Sequence, residues 1–148
     1  QAMHRLLEWL PLREGQVPDA DAWTPEQCAQ AARTFSLTEA QMQQAQRMAQ
    51  GILGGDGAWA WRRSALAWHA NEVALTHGGR TLRLDRLVQR RDTAAWWVLD
   101  FKSSASPQDQ PELCAQLREY RAALTLIYPG EAVYTAFLTP QGRLIEIL

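Results

Sequence analysis

The chain has 148 residues, 47% hydrophobic and 21% charged, with a net charge of -1 and an isoelectric point near 6.3. That length suits one domain with a good core, and the near-zero charge argues against tight nonspecific nucleic-acid binding, which depends on neutralising phosphates. There is no signal peptide and no apolar run of the roughly 18 residues that would mark a membrane helix, so a soluble, cytoplasmic protein is expected. The two separated cysteines, Cys28 and Cys114, are too few for a structural zinc site.

In chain order, Ala2 to Leu10 reads as an opening helix carrying His4-Arg5-Leu6-Leu7-Glu8, ended by Pro11 and a Gly/Pro/Asp loop that closes near Ala22. Thr24-Pro25-Glu26-Gln27 is a capping box with proline at the first helical position, and Thr38 with Gln41 signals another helix start. Met42, Ala45, Met48, Ala49 and Ile52 then form an apolar stripe of the kind that faces a core, and Gly54-Gly55-Asp56-Gly57 ends it. Trp59, Trp61 and Trp68 are expected on a helix leading to the first strand. Their neighbours Arg62 and Arg63 raise base stacking as a role, but packing is favoured. Asn71-Glu72-Val73 falls in the first strand, which turns at Gly78-Gly79 into the alternating strand Leu82 to Val88. After a turn at Arg91-Asp92-Thr93-Ala94 comes the strand-type run Trp96 to Phe101. A long helix from about Pro111 to Tyr128 and strands near Ala132–Leu138 and Arg143–Ile147, joined at Pro140-Gln141-Gly142, complete the chain. The expected fold is an α/β sandwich with a mixed sheet.

The register of the central hairpin carries the chemistry. A turn centred on Asp92-Thr93 pairs residues whose numbers sum to 185, which sets Asp85 opposite Asp100. Like charges facing each other destabilise a ladder, unless a cation sits between them. Oxygen ligands alone suit a hard ion such as magnesium, for which manganese can substitute. Lys102 follows two residues after Asp100 on the same face, and it is the only lysine among fifteen basic residues. A metal-binding carboxylate pair beside a compact ammonium is what phosphodiester hydrolysis requires, with the lysine positioning the attacking water or stabilising added negative charge. The bland alternative is a surface Asp-Lys ion pair. Arg80, Arg83, Arg86, Arg90 and Arg91 crowd the same hairpin, and Arg83, on the strand face of Asp85, is the most credible phosphate contact.

These residues resemble a family. His4-Arg5-Leu6-Leu7-Glu8, Glu72, Asp85-Arg86-Leu87, Asp100-Phe101-Lys102-Ser103 and Gln116-Leu117-Arg118-Glu119-Tyr120 are similar, in that order, to the motifs of the PD-(D/E)XK nuclease domain of RecB- and AddA-type helicase-nucleases. The chain departs from the pattern at Leu82, where the family often has glycine, and the glycine usual before the helix histidine lies outside it.

The resemblance implies a restriction-endonuclease-like αβββαβ core with a helical insertion over about residues 12–58, as one nuclease domain excerpted from a longer protein. It implies that His4, Asp85, Asp100 and the backbone carbonyl of Phe101 hold Mg2+, and that Lys102 is the catalytic lysine. Glu72 would support the site or bind a second metal, and Gln116 and Tyr120, one helical turn apart, would lie beside it. Glu8, on the face of His4, is read as stabilising its helix. With two cysteines the chain cannot hold the iron-sulfur cluster of some related nucleases. No phosphate-binding loop for ATP is present. The implied activity is that of an exonuclease V-like deoxyribonuclease acting on single-stranded DNA supplied by UvrD/RecB-like helicase domains in DNA repair and recombination, with no membrane partner. The alternative is a catalytically silent, nuclease-like DNA-binding or structural module of a helicase.

Overall fold

The computed structural model describes residues 1–14 and 22–148, so most of the expected loop after Pro11 lies outside the described residues. Helix α1 spans Ala2–Glu8, two residues shorter than expected, and Trp9 caps it through an N–H bond to the Arg5 carbonyl. Ala2, Met3, Leu6 and Leu7 are its buried residues, a stripe at helical spacing that leaves His4 on the flank. Helices α2 (Pro25–Thr34) and α3 (Glu39–Leu53) both begin at the expected capping boxes. Thr24 Oγ1 accepts from Gln27 N–H and Thr38 Oγ1 from Gln41 N–H, while each glutamine accepts the N–H of its threonine in return. The α3 stripe is buried through Met42, Ala45, Ala49 and Ile52, with Met48 partly covered.

The tryptophans that follow do not lie on an α-helix. Trp59 and Trp61 occupy a single 3-10 turn, Ala58–Trp61, a second such turn covers Arg63–Ala65, and Trp68 is already in strand β1 (Leu66–His77). Helix propensity is weak for aromatic residues, and from Leu66 onward the segment is paired with β2 (Arg80–Arg90), which decides its conformation. The β1–β2 turn is the expected two-residue hairpin. Gly78 and Gly79 have φ of 58° and 77°, the pair of positive values that such a turn needs and that side chains resist.

Strand β3 (Trp96–Phe101) pairs antiparallel with β2 in the expected register, from Gln89 with Trp96 to Arg86 with Leu99. Helix α4 (Pro111–Ile127) then crosses to β4 (Val133–Leu138), parallel to β3, and β5 (Leu144–Ile147) closes the sheet antiparallel to β4. The five strands lie in sequence order. One sheet face packs Val88, Leu99, Phe101 and Ala136 against α1 and α3, and the other packs Leu87, Val98 and Phe137 against α4 through Leu117, Tyr120 and Leu124. This is the expected mixed α/β architecture. The parallel pair β3–β4 sets the carboxyl end of β3, with Asp100 and Phe101, beside Phe137 and Leu138 at the end of β4.

Candidate functional site

Asp85 and Asp100 stand at that end of the sheet, one step beyond the Arg86–Leu99 pair. Asp85 Oδ2 accepts the Phe101 N–H at 2.9 Å and lies 3.2 Å from His4 Nε2. Asp100 is only 4% exposed, and its Oδ2 is 2.9 Å from Lys102 Nζ. The lysine is anchored by its own N–H to the Leu138 carbonyl at the end of β4. Helix α1 brings in His4, whose ring packs 5.6 Å from that of Phe101. Residues from three separate stretches of the chain, His4, Asp85 and the Asp100–Lys102 pair, are thereby gathered at one point.

Their electrostatics follow from burial and proximity. Burial and the Asp85 charge push the Asp100 carboxyl up to about 7, and Lys102 offsets only part of this. Burial acts on Asp85 too, but hydrogen bonds from His4, Asp100 and the Phe101 N–H outweigh it and hold that carboxyl below its ordinary value. The two carboxylates are therefore pushed apart, Asp100 upward and Asp85 downward. His4 Nδ1 is buried without a hydrogen-bond partner, while Asp100 Oδ2 has the Lys102 ammonium as its close partner.

These donors fit a hard divalent cation in kind: two converging carboxylates and an imidazole 3.2 Å from one of them. Among the described residues, however, no three His, Cys, Asp or Glu side chains converge as a ready-made metal cage. His4 and Lys102 each stand on a carboxylate instead.

The remaining residues singled out in the sequence surround this centre. Tyr120 on α4 is buried, and burial with the nearby Asp100 and Asp85 charges pushes its hydroxyl up to about 12. Gln116 is exposed one turn earlier, and both line a hollow beside Arg80 and Arg83. Arg83 Nη1 donates to Glu72 Oε2 at 3.2 Å, so its charge is already paired. Glu72 has φ of 51°, a left-handed backbone in the middle of a strand, which costs a non-glycine residue on the order of 1–3 kcal/mol. It lines a pocket of about 460 Å³ with Gln1, His4, Arg5, Glu8 and Arg83.

Glu8 does more than stabilise its helix. It pairs with Arg5 at 3.2 Å, and its carboxyl also shares a hydrogen bond with Glu72. Burial first, then Glu72, push Glu8 up to about 7. A raised folded-state value means that stability is fully present below the ordinary carboxyl range and is lost as pH rises through 7. Glu8→Gln is therefore expected to raise the melting temperature at pH 8 and to leave it nearly unchanged at pH 4. Equal shifts at both pH values would contradict this.

Two residues brace the site in a way not assigned from the sequence. Arg86, which follows Asp85, is 1% exposed, and burial pushes its guanidinium down to about 10. Its Nε and Nη2 donate to the Ala60 carbonyl at 3.1 and 2.7 Å, its Nη1 donates to Asn71 Oδ1 at 2.7 Å, and it lies over the Trp61 ring. Asn71 Nδ2 in turn donates to the Glu8 carbonyl at 3.2 Å. This chain of bonds ties the strand of Asp85 to the end of the helix that carries His4. In the sequence Arg86 is one of the arginines crowding the hairpin and part of the Asp85-Arg86-Leu87 motif; its burial makes it a brace for the site and removes it from any surface track.

A family model of the PD-(D/E)XK nuclease superfamily matches residues 1–144. The chain belongs to this superfamily. No curated protein matches it. Membership makes the carboxylate crevice the candidate nuclease centre and DNA its expected polymer, and PD-(D/E)XK nucleases generally use divalent metal ions. No helix among the described residues is long and apolar enough to cross a membrane.

Proposed function

We propose that this PD-(D/E)XK domain is a Mg2+-dependent deoxyribonuclease that hydrolyses single-stranded DNA. The observation that carries the reading is the pair Asp85–Asp100, two carboxylates on adjacent strands whose burial and mutual charge raise one of them, with the chain's single lysine 2.9 Å from Asp100. Catalytic groups are often found where burial and a like charge move a carboxyl this far. In this reading Asp85, Asp100, His4 and the Phe101 carbonyl hold the ion, once His4 and Lys102 yield the oxygens they now cover.

When bound, the ion neutralises phosphate charge and makes a water nucleophilic. The protein's residues do the rest. Asp100 gives up its proton as the site loads, Asp85 stays ionised through the Phe101 N–H, and Lys102 holds a positive charge over the attacked phosphate and orients the water. Tyr120, Gln116 and Glu72 frame the crevice, and Arg83 contacts phosphate if it exchanges Glu72 for DNA. In the finer reading the domain is of the RecB/AddA type and exonuclease V-like. It is cytoplasmic, covers residues 1–148 with a helical insertion at about 12–58, and is fed by helicase domains in repair and recombination.

A silent, nuclease-like module is the second reading, favoured by the lack of a preformed three-ligand cage among the described residues. The two separate on metal binding. Manganese at a hundredfold excess over its dissociation constant should raise the melting temperature by roughly 9 °C, and Asp85→Asn should remove the rise. A wild-type melting curve indifferent to millimolar manganese would favour the silent module.

A further inference from the structure

The end of the sheet away from Asp100 gathers four of the seven tryptophans and two of the three tyrosines. On one face the rings form a continuous row. Arg90 Cζ lies 4.5 Å over Trp59, Trp59 meets Trp97 edge-on at 5.6 Å, and Trp97 stacks on Tyr134 at 4.8 Å. Tyr134 ends the row 36% exposed, beside a hollow of about 460 Å³ bordered by Arg90, Asp92, Trp97 and Ala132. Trp59 and Trp97 are partly buried against the core, and the row opens to solvent at Tyr134, near the amino ends of the interior strands β3 and β4.

Backbone bonds draw arginines to the same end. The Arg63 N–H donates to the Arg13 carbonyl, the Arg62 N–H to Trp59, and the Arg91 N–H to Ala65. Of Arg13, Arg62, Arg63, Arg90 and Arg91, only Arg90 has a carboxylate partner among the described residues, and that partner, Asp92, holds it over Trp59. Arg91 Nη2 also donates to the Leu66 carbonyl at 2.8 Å, so in a chain of net charge -1 this is a local excess of positive charge at the end of the sheet where Tyr134 is exposed. Rings that stack any base, beside cations that track phosphates, are the features that bind single strands without reading their sequence.

We infer that this Trp59–Trp97–Tyr134 row and its arginines form a second contact for single-stranded DNA, separate from the carboxylate crevice. Trp97 and Asp100 are three residues apart on β3, about 10 Å along the strand. The inference rests on the reading that the domain acts on DNA, and it adds where an unpaired segment is held outside the cleavage centre.

The test is fluorescence anisotropy with a labelled twelve-residue oligothymidine and the 148-residue chain in EDTA, where no cleavage occurs. The wild-type protein should bind, and a blunt duplex of the same length should bind more weakly. Tyr134→Ala should weaken the single strand at least fivefold, whereas Tyr134→Phe, which keeps the ring, should stay within twofold. The double change Arg63→Gln with Arg91→Gln should flatten the dependence of log affinity on log salt by about 1.4, the loss of two phosphate contacts. It gives a readout even if Tyr134→Ala is misfolded. No wild-type binding, an unchanged affinity in Tyr134→Ala, an unchanged salt slope, or equal binding of the duplex would each overturn the inference. Manganese-induced stabilisation, measured on the same samples, separates the two readings. If it persists without oligonucleotide binding, only this surface is refuted, and if it is lost while binding persists, only the nuclease reading is.

Discussion

Lys102→Arg is expected to lose single-strand cleavage nearly as completely as Lys102→Ala, by on the order of a hundredfold or more, while keeping its fold and its response to manganese. The Lys102 side chain reaches Asp100 Oδ2 at 2.9 Å from a backbone fixed to Leu138, and it is one-quarter exposed, so the larger arginine has room to fold. Guanidinium is a planar fork that prefers to grip both oxygens of a carboxylate, whereas ammonium is a compact point donor. Arginine would keep the charge but occupy the space in which water and phosphate must meet, and a displacement of about 1 Å there can cost on the order of a hundredfold. Single-turnover cleavage of an oligonucleotide at saturating manganese is the measurement. Near-wild-type cleavage by the arginine variant would show that only charge is needed at this position.

Asp100→Asn should make the metal-free protein more stable at pH 8 and abolish its stabilisation by metal. Burial and Asp85 raise the Asp100 carboxyl from 3.8 to about 7, so the folded state favours the protonated form. Stability from this group is complete below pH 4 and is lost as pH rises through 7, at about 1.4 kcal/mol per pH unit within that window. Asparagine copies the protonated acid and does not titrate. The variant should therefore exceed wild type by on the order of a few kcal/mol in urea unfolding at pH 8 in EDTA, and match it near pH 4. With millimolar manganese the order should narrow or reverse, because only the wild type gains. A variant less stable than wild type at pH 8 without metal would mean that the two carboxylates do not repel each other.

What could be read from the sequence was what local rules determine. The threonine-glutamine boxes start α2 and α3 because they satisfy orphan N–H groups within four residues, and the Gly78-Gly79 turn needs two positive φ values that few other pairs supply. A short turn fixes the register of β2 against β3, so the facing of Asp85 and Asp100 followed from counting. The tryptophan segment was misread because its helical appearance competed with a partner strand more than twenty residues away, as the Leu66–Arg90 pairing illustrates. The bracing role of Arg86 went unread for a similar reason. Its partners Ala60 and Asn71 lie 26 and 15 residues away, and Asn71 reaches Glu8 across 63, so no spacing rule connects them. The Glu8–Glu72 contact is equally non-local. His4 was placed near the aspartates by the order of family motifs and not by any property of the helix that carries it.

The most direct test of the account is digestion of an end-labelled single-stranded oligonucleotide by the 148-residue chain in low salt, with Mg2+ and with EDTA, alongside Asp100→Asn. The account predicts slow cleavage that requires the metal, weakens steeply with added salt and is absent from the variant. Cleavage that persists in EDTA or in Asp100→Asn, or no cleavage by a wild-type chain that manganese demonstrably stabilises, would contradict it.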